Sequence, residues 1–100
     1  MTFRVSVPGS TPPNAPVYLT GSFNSWNAAD PAYLLTRGSD DIYSVTLSLP
    51  AGSAVTYKLT RGSWGTVETT SSGAEIANRT LTPAGGAQTV TISVQRWKDQ

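Results

Sequence analysis

From Ile42 the chain alternates with a period of two. Tyr43, Val45, Leu47 and Leu49 fall on one side and Ser44, Thr46 and Ser48 on the other, until Pro50-Ala51-Gly52 breaks the run. That period belongs to a strand with one buried and one wetted face. It recurs along the chain. Phe3, Val5 and Val7 alternate with Arg4 and Ser6 up to Pro8-Gly9, and Val17 and Leu19 alternate with Tyr18 and Thr20 up to Gly21-Ser22. Val55, Tyr57 and Leu59 alternate with Thr56, Lys58 and Thr60, which predicts that Lys58 projects from the solvent face of its strand. Val90, Ile92 and Val94 alternate with Thr89, Thr91 and Ser93 near the end.

Between these runs lie turn residues. Ser10 to Pro16 holds three prolines and an asparagine and reads as a loop, and Pro83 to Gly86 reads as a turn. Shorter strands are expected at Tyr33–Leu35, at Thr66–Thr69 and, after Asn78-Arg79, through Leu81. No window carries a helical period with start and stop signals. The expectation is an all-β fold, an immunoglobulin-like antiparallel β-sandwich of seven to eight strands. Residues 1–100 make a single domain, a length at which roughly two thirds of the unfolded chain's surface can be buried.

Composition narrows the chemistry. Charged residues make up 13% of the chain, seven basic against six acidic. With no basic cluster there is no electrostatic footprint for nucleic acid or an anionic membrane. Cysteine and histidine are both absent. Disulfides, thiolate metal sites and every Ser/His/Asp or Cys/His constellation are thereby excluded. No cofactor and no metal is implied. The acids Asp30, Asp40, Asp41, Glu68, Glu75 and Asp99 nearly all fall in turns or at the terminus, a poor setting for a glycosidase, which needs paired carboxyl groups roughly 5 to 10 Å apart. Asp40-Asp41 reads as a hairpin turn rather than a calcium loop. No run approaches the roughly 20 apolar residues of a membrane span. The start shows no signal peptide, so the chain is either cytoplasmic as it stands or a module of a longer exported protein.

Three tryptophans remain to be placed. Trp97, one step out of phase with Val94 and followed by Lys98 and Asp99, is expected to close the sandwich edge. Trp26 stands among Asn24, Ser25 and Asn27, and Trp64 follows Arg61-Gly62-Ser63. Each has few apolar neighbours to hide among. Trp26 is either a contact surface or a cap on the core. With Lys58 and Asn78 the two form an inventory suited to a sugar. Ring faces of glucose pack on indole, and hydroxyls take hydrogen bonds from ammonium and amide groups.

Nearly the whole chain resembles starch- or glycogen-binding modules of carbohydrate-binding module families 20 and 48. VYLTGSFNSW (Val17–Trp26) is similar to the families' strand ending in Gly-Ser before a loop tryptophan, and LSLPAG (Leu47–Gly52) to their strand end. VTYKLTRGSW (Val55–Trp64) resembles the Tyr-Lys strand followed by a second tryptophan, and ANRTL (Ala77–Leu81) the return strand. The resemblance implies a glucan site with Trp26 and Trp64 as stacking platforms and Lys58 and Asn78 as hydrogen-bonding groups. It implies an α-1,4-glucan partner such as starch, glycogen or cyclodextrin. GSWGTVETTSSGAEIANRTL (Gly62–Leu81) looks most like copies that front bacterial esterase-type hydrolases, with Glu68 in a structural role. The loop TPPNAP lacks the tyrosine of a second glucan site, and Ala74 is smaller than its counterpart, so one shallow site is expected.

Two readings follow. One is a non-catalytic α-glucan-binding module, a monomer acting outside the cell as part of an exported bacterial protein. The other is a structural accessory domain that packs its tryptophans against a catalytic partner without binding sugar.

Overall fold

The computed structural model describes residues 1–84 and 87–100, and its five longest strands follow the alternating segments. They are β1 (Thr2–Ser6), β2 (Tyr18–Gly21), β3 (Thr36–Arg37), β4 (Tyr43–Thr46) and β5 (Val55–Thr60). Then come β6 (Glu68–Thr69), β7 (Arg79–Leu81), β8 (Thr89–Ser93) and β9 (Arg96–Trp97). One sheet runs β3-β4-β1-β8 and a second β2-β5-β7, while β6 and β9 form a two-stranded ribbon. This is the all-β sandwich the alternation implies.

The core forms where the apolar faces of the two larger sheets meet. Phe3 and Val5 of β1, Tyr43 of β4 and Ile92 of β8 join Leu19 of β2 and Val55, Tyr57 and Leu59 of β5. Phe3 meets Tyr57 edge to face, with ring centroids 5.5 Å apart. Trp97 is completely buried in the same cluster. Its indole Nε1 donates to Thr11 Oγ1 at 2.8 Å, and the Arg61 guanidinium lies 5.5 Å from the ring centroid. Trp97 is therefore a core side chain as well as an edge closure.

Four expectations need correction. The described residues form nine strands rather than seven or eight, since the two-residue β3 and β9 stand outside the segments read as strands. The sandwich is not wholly antiparallel, since β1 pairs with β8 in parallel, Phe3 beside Val90 and Val5 beside Ile92. Parallel neighbours need a long crossover, and here nearly the whole domain intervenes. Tyr33–Leu35 is not a strand. Asp30 accepts from the Ala32 amide at 3.1 Å and caps a 3-10 turn at Pro31–Tyr33, which stacks Tyr33 on Phe23 with centroids 4.9 Å apart. Thr66–Thr69 shortens to β6 because Trp64–Thr66 is itself a 3-10 turn. Of the turn expected at Pro83 to Gly86, residues 85 and 86 lie outside those described.

Among the described residues no helix is long and apolar enough to cross a membrane.

Candidate functional site

Trp26 owes its position to the end of β2. A Cβ at Gly21 would stand 2.3 Å from the Thr56 carbonyl oxygen, so only glycine lets β2 approach β5 this closely. The chain then turns through a 3-10 segment at Ser22–Asn24. Asn24 holds that turn shut: its Oδ1 accepts from the Gly21 amide at 3.0 Å, and its Nδ2 donates to the carbonyls of Leu19 at 3.3 Å and Asn27 at 3.4 Å. Ser25 and Trp26 follow in the left-handed region, with φ of 56° and 59°. Non-glycine residues rarely adopt that conformation. The Trp26 amide closes the loop on the Gly21 carbonyl at 2.9 Å.

Trp64 arrives from the opposite direction. β5 ends at Thr60, Gly62 reverses the chain at φ 108°, and a 3-10 turn at Trp64–Thr66 leaves the indole 45% exposed. A buried hydrogen bond ties the two loops together, with Thr60 Oγ1 donating to the Ala28 carbonyl at 2.7 Å. The indoles consequently lie side by side, Trp26 half-buried and Trp64 exposed, with centroids 6.2 Å apart and planes tilted by 39°. Two tilted faces of this kind form a bent apolar ledge.

Lys58 departs from expectation. It does not project freely into solvent, for it is buried, at 6% exposure. The loop after β5 folds back over the outer face of the strand, with Val67 bridging to Thr60 and Glu75 bridging to Thr69. That puts Glu75 Oε1 3.9 Å from Lys58 Nζ. Lys58 still lines an open recess of about 190 Å³ together with Trp64, Glu75 and Lys98. Asn78 is exposed and immediately precedes β7. Because Tyr57 pairs with Arg79 in antiparallel register, one further step along that register sets Asn78 opposite Lys58. The structure thus brings Trp26 and Trp64 together and sets Lys58 beside Trp64, while Asn78 approaches through the strand register alone.

No protein-family model matches the chain. In sequence it is 89% identical over 100 residues to an alpha-amylase of Niallia circulans, a match that takes in 100% of this chain and 8% of the relative. It is 38% identical over 104 residues to an amylopullulanase of Thermoanaerobacter thermohydrosulfuricus, covering 99% of this chain and 7% of that one. A second amylopullulanase, from Thermoanaerobacterium thermosulfurigenes, is 37% identical over 101 residues, covering 97% of this chain and 5% of the other. The chain spans less than a tenth of the length of these relatives, so it matches a small segment of amylolytic proteins. Their names differ from the esterase-type hydrolase expected from Gly62–Leu81. Among solved structures, the glucoamylase of Hypocrea jecorina superposes with a TM-score of 0.72 at 24% identity, over 94% of this chain and 16% of that one. The Hormoconis resinae glucoamylase gives 0.63 at 28% identity, over 94% and 17%.

The acidic residues are otherwise engaged. Asp40 pairs with Arg4 at 3.3 Å and accepts from the Ile42 amide at 3.1 Å, which holds its carboxyl below the usual carboxylate range. Asp41 pairs with Arg37 at 2.7 Å across the hairpin between β3 and β4. Asp99 pairs with Arg61, whose hydrogen bond lowers its pKa too. Glu68, fully buried, pairs with Arg79. With Asp30 capping a turn and Glu75 facing Lys58, each carboxylate has a structural partner. Among the described residues no three potential ligands gather to hold a metal ion.

Sequence reasoning overlooked Glu75 and Lys98. Neither carries a local signal, since an acid in a turn and a lysine near a terminus are ordinarily solvated. The fold-back of the loop after β5 sets Glu75 beside Trp64, and the pairing of β6 with β9 brings Lys98 to the same recess.

Proposed function

We propose that this chain is a non-catalytic α-glucan-binding module carried by an amylolytic parent protein, which it holds against polymeric starch or a related glucan. The reading rests on one observation above others: the indoles of Trp26 and Trp64 lie 6.2 Å apart at the surface, tilted by 39°. A glucose chain curved along its helical path presents successive C–H faces that fit a bent ledge of this kind. Lys58, opening into the recess beside Trp64, donates to ring hydroxyls, and Asn78 adds a second polar contact. No bond is broken. An action outside the cell, as part of an exported protein, accords with a polymeric ligand.

Energetics set the expected strength. Covering a few hundred Å² of apolar surface is worth roughly 5–8 kcal/mol, and part of that is offset by ordering the glycan. Dissociation constants of roughly micromolar to millimolar follow.

Titrating the domain with β-cyclodextrin while following tryptophan fluorescence tests the reading, with Trp26→Ala as the control. Saturable quenching in the parent chain and its loss in the variant are expected. A folded domain that shows no response at millimolar ligand would instead be a structural accessory to its parent.

A further inference from the structure

The recess beside Trp64 is polar on two sides that the stacking ledge does not use. The hairpin through residues 69–75 is closed by the Thr70 amide on the Ala74 carbonyl and the Gly73 amide on the Thr70 carbonyl, both at 2.9 Å, and a bridge from Thr69 to Glu75 fixes where Glu75 leaves it. On the other side the Lys98 amide donates to the Val67 carbonyl at 2.9 Å, anchoring Lys98 to the residue that ends the Trp64 turn. Both side chains are thus delivered by hydrogen-bonded backbone to the rim of one recess of about 190 Å³. The Glu75 side chain is 90% exposed, and its pairing with Lys58 is a long 3.9 Å. Lys58 reaches only one of its oxygens, and only at that length, so the exposed carboxylate keeps lone pairs able to accept hydroxyl hydrogens.

We propose that this recess is a second contact zone of the carbohydrate site, in which Glu75 and Lys98 bind the hydroxyl edge of the sugar unit lying just beyond Trp64. The inference rests on the α-glucan reading above. The Glu75 carboxylate accepts from two neighbouring hydroxyls, and the Lys98 ammonium donates to a third oxygen, while Trp64 covers the ring face. Vicinal hydroxyls suit a carboxylate because its two oxygens accept in parallel. The zone would set which end and which length of oligosaccharide binds best. A ligand that ends at the ledge cannot reach it.

The test compares maltoheptaose binding by calorimetry in the parent chain, Glu75→Ala, Lys98→Met and Trp26→Ala. Each rim variant is expected to weaken binding by about 3- to 10-fold, the worth of one or two hydrogen bonds, and Lys98→Met to do so with its thermal midpoint unchanged. Lys98→Met matters because it leaves the Lys58–Glu75 pair untouched, so its loss of affinity has no origin in a displaced Lys58. Parent-like binding by Lys98→Met, alongside a loss in Trp26→Ala, overturns this inference and leaves the glucan reading standing. A parent chain that binds no maltoheptaose overturns both.

Discussion

Arg79 grips the buried carboxylate of Glu68 in a two-pronged pair, Nη2 lying 2.7 Å from Oε1 and Nε 3.0 Å from Oε2. Glu68 Oε2 also accepts from the Leu59 amide at 2.9 Å, so one side chain joins β6, β5 and β7. This satisfies the carboxylate from every side and fixes the strand that leaves the Trp64 turn. Removing one partner of such a pair strands the other. Arg79→Ala is expected to cost about 3–5 kcal/mol. In a domain of this size the thermal midpoint should fall by roughly 4–8 °C for each kcal/mol. Calorimetry that finds less than a few degrees would show that water reaches Glu68 and takes over from the guanidinium.

The loop carrying Trp26 stores strain that its hydrogen bonds contain. Two consecutive left-handed residues, Ser25 and Trp26, cost roughly 1–2 kcal/mol each, and Asn24 provides three of the contacts that hold them. Asn24→Ala is therefore expected to lose about 1–3 kcal/mol and to separate the indoles, reducing their exciton couplet in circular dichroism. Ser25→Gly should keep the couplet and change stability by less than about 1 kcal/mol, relief of strain being offset by the freedom glycine gains when unfolded. If Asn24→Ala retains the couplet at full strength, the fold rather than the asparagine aims Trp26.

Much of this architecture is written locally. Tyr43, Val45 and Leu47, or Val90, Ile92 and Val94, announce a strand because a period of two needs only near neighbours, and the polar company of Trp26 and Trp64 marks them for a surface. Other features depend on partners remote in sequence. Lys58 looks solvent-facing from its own strand and is buried where the loop after β5 folds back beside it. The parallel match of β1 with β8 leaves no trace in either segment, since both are antiparallel-like in pattern. Tyr33–Leu35 misleads for a different reason: its apolar run is right for burial, but Asp30-Pro31 starts a capped turn instead of ending one.

Acid sensitivity follows from the paired aspartates. The carboxyls of Asp40 and Asp99 titrate below the ordinary value of 3.8, the first chiefly through the Ile42 amide and the second chiefly through Arg61. A carboxyl whose folded pKa is depressed binds fewer protons folded than unfolded. The stability it lends is complete above the unfolded value and drains away as pH falls through the folded one. With no histidine in the chain, no side chain has its ordinary pKa between about pH 5 and 8. Urea midpoints should therefore be flat from about pH 7 to 5 and decline below about pH 4. A step near pH 6 would contradict this assignment.

The two tryptophans that flank Arg61 make opposite demands on the fold. Trp97 is wholly buried, holds Thr11 through its indole nitrogen and lies beneath the Arg61 guanidinium, whereas Trp64 is 45% exposed on its 3-10 turn. Trp97→Phe keeps an aromatic ring but gives up that hydrogen bond and the volume of the second ring, at a cost of about 2–3 kcal/mol. Trp64→Ala removes a partly exposed side chain whose packing is chiefly against Trp26 and should cost less, about 1 kcal/mol. Urea unfolding separates the cases through the midpoint, and acrylamide quenching separates them independently, because the emission lost with Trp64 is accessible and that lost with Trp97 is shielded. Equal destabilisation by the two substitutions would mean that Trp64 supports the sandwich, and the ledge it forms with Trp26 would then be part of the core's own edge.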